Sequence, residues 1–240
     1  MSAGRVLRTG GLWFDGIDDY VAVPHNDALN RGLGEEVTLC FWMNMPTFLS
    51  GYRCILTKGR TLIPASANYA VRYYFYYGPY LEFLYHNPSR DWNVWRTVAT
   101  QMVAGKPYHI AVTFRFGTKE SIRFYINSTL ISGSWIQGSG SDPPYISTQP
   151  LWIGRSYPGE YYNGYIDEVR IYNRALSIDE IKAIYERDEL ITDGLVLYLD
   201  FSEGEGNIAY DKSGYGNHAT IYGGARWVIK KALRVLPSVR

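Results

Sequence analysis

The sequence predicts an all-β fold, a two-sheet antiparallel sandwich with one short helix, and three observations predict it. Residues 164–172 alternate as a strand does, with Ile166, Glu168, Arg170 and Tyr172 on one face and Tyr165, Asp167, Val169 and Ile171 on the other. Runs at 37–43, 69–85, 108–114 and 121–126 repeat that pattern, separated by Gly, Asp and Pro turns. Only one strong helix start occurs: Ser177 with Glu180 three residues on is a capping box, Leu176 and Ile181 stand as its hydrophobic staple, and the helix should cover 178–187.

In chain order, an Asp/Gly cluster at 15–19 marks a tight turn between strands at 12–14 and 20–23, read as a strand pair. Strands follow at 37–43 and 54–57. Residues 69–85 form an aromatic hairpin about Gly78 and Pro79, one face on the core and the other open to solvent or a partner. Strands at 108–114 and 121–126 precede a turn at Asn127 and Ser128, which with Thr129 is also a glycosylation sequon. Residues 132–148, rich in Gly, Ser and Pro, read as a loop rim, and 151–154 as a strand.

A length of 240 residues suits one large β domain, and a net charge of +1 with interspersed signs gives no drive toward nucleic acid or an anionic membrane. No run approaches the ~18 apolar residues of a membrane span. The basic, polar start has no signal-peptide pattern, so the chain is either a mature fragment or reaches the outside by another route, for instance in a virus particle. Cys40 and Cys54 admit two readings, one disulfide between neighbouring strands or two buried thiols.

Residues 164–181, together with Phe14, Asp15, Gly16 and Tyr20, the strand ending at Trp42, residues 55–59, Tyr108 with His109, and Leu151 to Arg155 in order, resemble the laminin-G-like, concanavalin-A-like jelly-roll modules. That resemblance implies a jelly roll and a surface setting: extracellular, on a cell or on a virion. Residues 194–218 are similar to the opening of such a module, yet come last here. The expected arrangement is a single module over 1–240, circularly permuted, with 194–235 supplying the opening strands and 195–201 returning beside 166–172. A duplicate strand at 232–235 would then be an open edge able to pair with a second copy, the other reading being the truncated start of a second tandem module.

Glycoside hydrolases of this jelly-roll superfamily need two carboxylates ~5–9 Å apart across a cleft. The acidic pairs here are sequence neighbours (Asp18 and Asp19, Glu35 and Glu36, Asp167 and Glu168), which point to opposite faces of a strand, and the four histidines belong to no nucleophile motif. No enzyme is expected. Calcium is: the resemblance implies a site with Asp167 as carboxylate and Glu203 and Gly206 giving backbone oxygens, with Asp15 a further ligand and Asp211 and Asn217 less certain ones. The other reading makes Asp15 and Asp211 turn-forming residues and pairs Asp167 with Arg170.

Twenty-two Tyr and seven Trp suit binding platforms as well as cores. Tyr157, Tyr161, Tyr162, Trp135 and Tyr145, on the two rim loops, are the expected ligand contacts, and Tyr74, Tyr76, Tyr80, Trp92 and Trp95 are further aromatics with that potential. The expected function is non-catalytic recognition or adhesion, binding a glycan or protein surface. The alternative is a structural protein of a virion, filament or surface layer whose partners are copies of itself.

Overall fold

A computed structural model describes residues 11–61, 65–156 and 159–228. It contains β1 (Gly11–Asp15), β2 (Tyr20–Val23), β3 (Glu36–Asn44), β4 (Gly51–Lys58), β5 (Tyr69–Phe75), β6 (Pro79–His86), β7 (Trp92–Thr97), β8 (Tyr108–Arg115), β9 (Arg123–Ile126), β10 (Thr129–Ile131), β11 (Gly133–Gln137), β12 (Leu151–Ile153), β13 (Asn163–Tyr172), α1 (Ile178–Arg187), β14 (Leu195–Leu199), β15 (Ile208–Ala209), β16 (Ala219–Tyr222) and β17 (Arg226–Val228). Sheet A runs β10-β9-β8-β3-β13-β1-β17, with β14 also on β13; sheet B runs β11-β7-β6-β5-β4-β12-β2-β16-β15. The two sheets close on one core that takes Leu12 and Phe14 from β1, Leu39 and Phe41 from β3, Val71 and Tyr73 from β5, Phe83 and Tyr85 from β6, and Leu197 and Leu199 from β14. The fold is the all-β antiparallel sandwich the periodicity predicts.

β13 is the middle of sheet A, and its face changes half-way along. Asp167 lies opposite Trp42 and Arg170 opposite Cys40, so one extra residue is accommodated between them, and Glu168 there has φ 53°. This bulge reverses the alternation. Ile166 points inward before it, and Val169 and Ile171 point inward after it, while Arg170 and Tyr172 turn outward beneath α1. Unbroken period-two alternation would have carried the Arg170 guanidinium into the core with Ile166.

The bulge also splits the β13 edge. β1 pairs with its first half, Leu12 opposite Ile166, and β14 with its second half, Leu199 opposite Val169 and Leu197 opposite Ile171. The late segment therefore does return beside residues 166–172. Residues 229–240 lie outside the described residues, and with them the duplicate strand expected at 232–235.

α1 spans the predicted residues, with Ser177 and Glu180 capping each other reciprocally. It lays Ile181 and Ile184 on Cys40, Ala111 and Tyr172 of the outer face of sheet A. Asn127 and Ser128 both have positive φ, 51° and 59°, and close β9 onto β10 as the two-residue hairpin turn does.

Two expectations need correction, and one open reading is decided. β1 and β2 are not a pair: β1 joins β13 and β2 joins β12 and β16, so the Asp/Gly turn crosses from one sheet to the other. Within 132–148 the loop contains β11, which pairs with β7. Cys40 and Cys54 stand in opposite sheets and are free and buried, which leaves the two-thiol reading.

Candidate binding site

The outer face of sheet B carries a layered arrangement on β4 to β7. Because side chains alternate across a strand, the residues between the inward Val71, Tyr73, Leu81, Phe83 and Trp95 face away from the core. Register aligns them in rows: Tyr52 beside Tyr74 beside Tyr80, and next to it Cys54 beside Arg72 beside Glu82 beside Arg96. Each row is a ladder of cross-strand neighbours. The Tyr52 and Tyr74 rings stack at 4.6 Å, and Tyr74 and Tyr80 lie 6.1 Å apart.

Glu82 organises the second row. It is fully buried, and its two oxygens are both occupied: Oε2 accepts from Arg72 Nε at 2.6 Å and Oε1 from Arg96 Nε at 2.6 Å. Each guanidinium is thereby held flat over a tyrosine, Arg72 at 3.9 Å from the Tyr52 ring and Arg96 at 4.5 Å from the Tyr74 ring. The result is a partly exposed aromatic strip with a rigid cationic backing.

The loop before β13 borders this strip. The Cys54 N–H donates to the Glu160 carbonyl, Arg72 Nη1 stands 3.5 Å from Glu160 Oε1, and Thr61 Oγ1 donates to Glu160 Oε2. Burial raises the Glu160 pKa above its usual value despite the opposing pull of Arg72.

The five expected ligand contacts are not gathered into one patch. Tyr161 is half-buried next to Glu160, at the edge of the strip. Tyr162 faces inward, fully buried, edge-on to Phe14 at 6.2 Å with its hydroxyl donating to the Tyr165 carbonyl, so it is a core residue. Trp135 sits on β11 opposite Trp95, its ring against Phe114 and its Nε1 donating to Lys119 O; β6 and β5 separate it from the β4 side. Tyr145 is tied by its N–H to His86 O and lies under Arg90. Tyr157 lies outside the described residues. Of the further aromatics, Trp95 is core, whereas Tyr74 and Tyr80 form the strip. Arg72, Glu82 and Arg96 were not anticipated, although their i, i+2 spacing with Tyr74, Tyr80 and Val94 is visible in the sequence.

The expected calcium ligands divide in the same way. Asp167 is buried at the β13 bulge, with Oδ1 accepting from Glu168 N. After Phe201, whose ring lies 6.5 Å from that of Trp227, the chain passes β17, where Trp227 Nε1 donates to Gly206 O. Glu203 is on that segment, its side chain accepting from Tyr210 N. Asp15 does not join them. It is paired with Asn163, four positions from Asp167 along β13, or roughly 13 Å at ~3.3 Å per residue. Asp15 instead accepts from Ile17 N and Asp18 N, and Asp19 accepts from Asp15 N, so these carboxylates build the turn.

Asp211 likewise is spent on structure, accepting from Tyr198 N, Ser213 N, Ser213 Oγ and Asn217 N. Arg170 pairs with Glu168 at 2.6 Å, and that pair occupies the place expected for Asp167 with Arg170.

A sequence model of the concanavalin A-like lectin/glucanases superfamily matches residues 15–182, which is most of the chain. The chain belongs to this superfamily. Solved structures of similar fold agree. A candidate carbohydrate binding protein from Bacteroides ovatus ATCC 8483 superposes with TM-score 0.68 at 19% identity, over 95% of this chain and 61% of that one. The heptameric SAP-like pentraxin from Limulus polyphemus gives 0.62 at 13%, over 95% and 98%. The enzymatically active domain of tailspike protein 2 from bacteriophage CBA120 gives 0.55 at 12%, over 83% and 34%. The chain thus spans under two thirds of the first of these structures. No curated protein matches it by sequence. Among the described residues, no helix of this superfamily member is long and apolar enough to cross a membrane.

Proposed function

We propose that this superfamily member is a non-catalytic recognition module that binds glycan, outside the cell, on the Tyr52, Tyr74 and Tyr80 strip. The observation that carries the reading is the rigid layering of that strip on Arg72, Glu82 and Arg96. Flat rings held without rotational freedom stack on the apolar faces of sugars at small entropic cost, and fixed guanidinium groups beside them donate to hydroxyls. The fold similarity to a carbohydrate-binding candidate supports this. Catalysis is disfavoured on this face because Glu82 is fully buried and both its oxygens accept from arginines within the sheet, so its carboxylate is not presented to a substrate.

Neutral oligosaccharides on an array, followed by calorimetry, provide the test. Binding is expected, and Tyr74→Ala should weaken it roughly tenfold, equivalent to ~1.4 kcal/mol, with Tyr161→Ala weakening it less. Absence of any glycan ligand, or a Tyr74→Ala protein that binds as wild type does, refutes the reading.

Calcium belongs to the same proposal, with its donor set reduced to Asp167 and the carbonyls of 203 and 206. A buried carboxylate at the bulge of a split sheet edge suits a hard cation. A melting temperature that rises with calcium in wild type but not in Asp167→Asn is expected; indifference of wild type to calcium and to chelator counts against it.

A further inference from the structure

We infer that the end of the sandwich where β13 finishes and β14 begins holds a second sugar subsite, selective for a sugar acid and anchored by Arg31. A recess of ≈ 380 Å³ opens there, lined among others by Asp27, Arg31, Glu35, Ile146, Asn173 and Tyr215. Its volume falls at the lower end of the ~300–1,000 Å³ range of small-molecule sites.

Arg31 is the decisive residue. It is 7% exposed, its Nη2 donates to the Ala28 carbonyl, and its Nε is buried with no hydrogen-bond partner. Its backbone is clamped on both sides by Asn68, just before β5, whose Oδ1 accepts from Arg31 N and whose Nδ2 donates to Arg31 O. Among the described residues no carboxylate pairs with it. A guanidinium so far removed from water, with Nε lacking a hydrogen-bond partner, favours an anion in the recess beside it. A carboxylate is the anion whose geometry matches its fork.

The rest of the recess selects what carries that carboxylate. Asp27 and Glu35 accept hydrogen bonds from hydroxyl groups, which a sugar acid carries and a bare inorganic anion does not. Glu35 Oε2 already accepts from Gly32 N and is fixed in place. Tyr215 and Ile146 are each about half exposed and offer apolar surface to the C–H face of a ring. Tyr215 is held over the recess because Asp211 clasps its loop, while Asn217 donates to Val196 O and accepts from Asn26. One carboxylate, several hydroxyls and an apolar face on a single small molecule describe a hexuronic acid or similar sugar acid.

The inference shares with the proposed function only the class of ligand, since none of Tyr52, Tyr74 and Tyr80 lines the recess. The test is to titrate the full chain at constant ionic strength with glucuronate against glucose and galacturonate against galactose, by calorimetry or saturation-transfer NMR. The acids should bind at least tenfold more tightly than their parent sugars. Arg31→Lys and Tyr215→Ala should each weaken uronate binding fivefold or more, while Tyr74→Ala leaves it unchanged. Tyr215 is exposed enough that its variant folds even where Arg31→Lys does not. Equal binding of acids and parents, no binding of either, uronate binding that survives Tyr215→Ala, or equal displacement by acetate each overturns the inference. Neutral glycans bound through Tyr74 alongside indifference to uronates would overturn it alone; the converse result would overturn only the sheet-face reading.

Discussion

Lys58 shows how far burial can shift a single residue. Its ammonium is fully buried, donating to Ser147 O at 2.9 Å and Gln149 O at 2.5 Å and lying 3.1 Å from His25 Nδ1. Burial, only partly opposed by Asp27, lowers its pKa to about 8. Between pH 8 and 10.5 the unfolded chain therefore carries a proton on Lys58 that the folded chain does not, and linkage makes stability rise with pH across that window. The gain from this group is on the order of 1–3 kcal/mol. The buried tyrosines, pushed upward by burial, do not oppose it below about pH 10. Urea unfolding from pH 8 to 10 should show wild-type stability climbing and Lys58→Met flat; parallel curves would contradict the assignment. Nothing in the one-dimensional pattern marks Lys58 or Arg31 as buried. Both are ordinary basic residues beside turns until chain 33 to 91 positions away closes over Lys58 and chain 37 positions away closes over Arg31.

At the scale of elements, the β13 bulge and β14 act as a unit. Tyr198 on β14 donates to Glu168 Oε2 at 2.6 Å, the same oxygen that receives Arg170 Nη2, and the Arg170 guanidinium lies 4.5 Å from the Tyr198 ring. This buried cluster bolts the late strand onto the central one. Removing the hydroxyl takes one donor from a buried carboxylate, a loss of about 2 kcal/mol. Tyr198→Phe should accordingly lower the melting temperature by roughly 4–8 °C for a chain of this size, with the circular dichroism of the folded state unchanged. A melting temperature within a degree of wild type would mean the cluster adds nothing. Elements whose instructions are local were legible beforehand: the Ser177 and Glu180 box placed α1, and Asn127 and Ser128 marked the turn that ends β9. The pairing of β1 with β13 rather than with β2 was not, because a tight turn brings two strand ends close whether they enter one sheet or two.

At the scale of the whole molecule, the sequence by itself determined the all-β class, the helix, most strand positions and the return of 195–199 to β13. Each of these rests on side-chain periodicity, capping chemistry or an ordered set of motifs, all of which are written within short stretches of chain. Tertiary structure decided the rest. Whether an aromatic is core or surface depends on the face of the fold its position is given; Tyr162 is interior while Tyr74 and Tyr80 form a strip on the outer face of sheet B. Whether Asp15 can meet Asp167 depends on which residues sit opposite across β1 and β13. Whether a charge is paired depends on segments that only the fold brings together, as strands β5 and β7 meet on Glu82 and the 147–149 loop meets Lys58. Burial and register are properties of contacts between residues far apart in sequence, so only the folded chain could assign them.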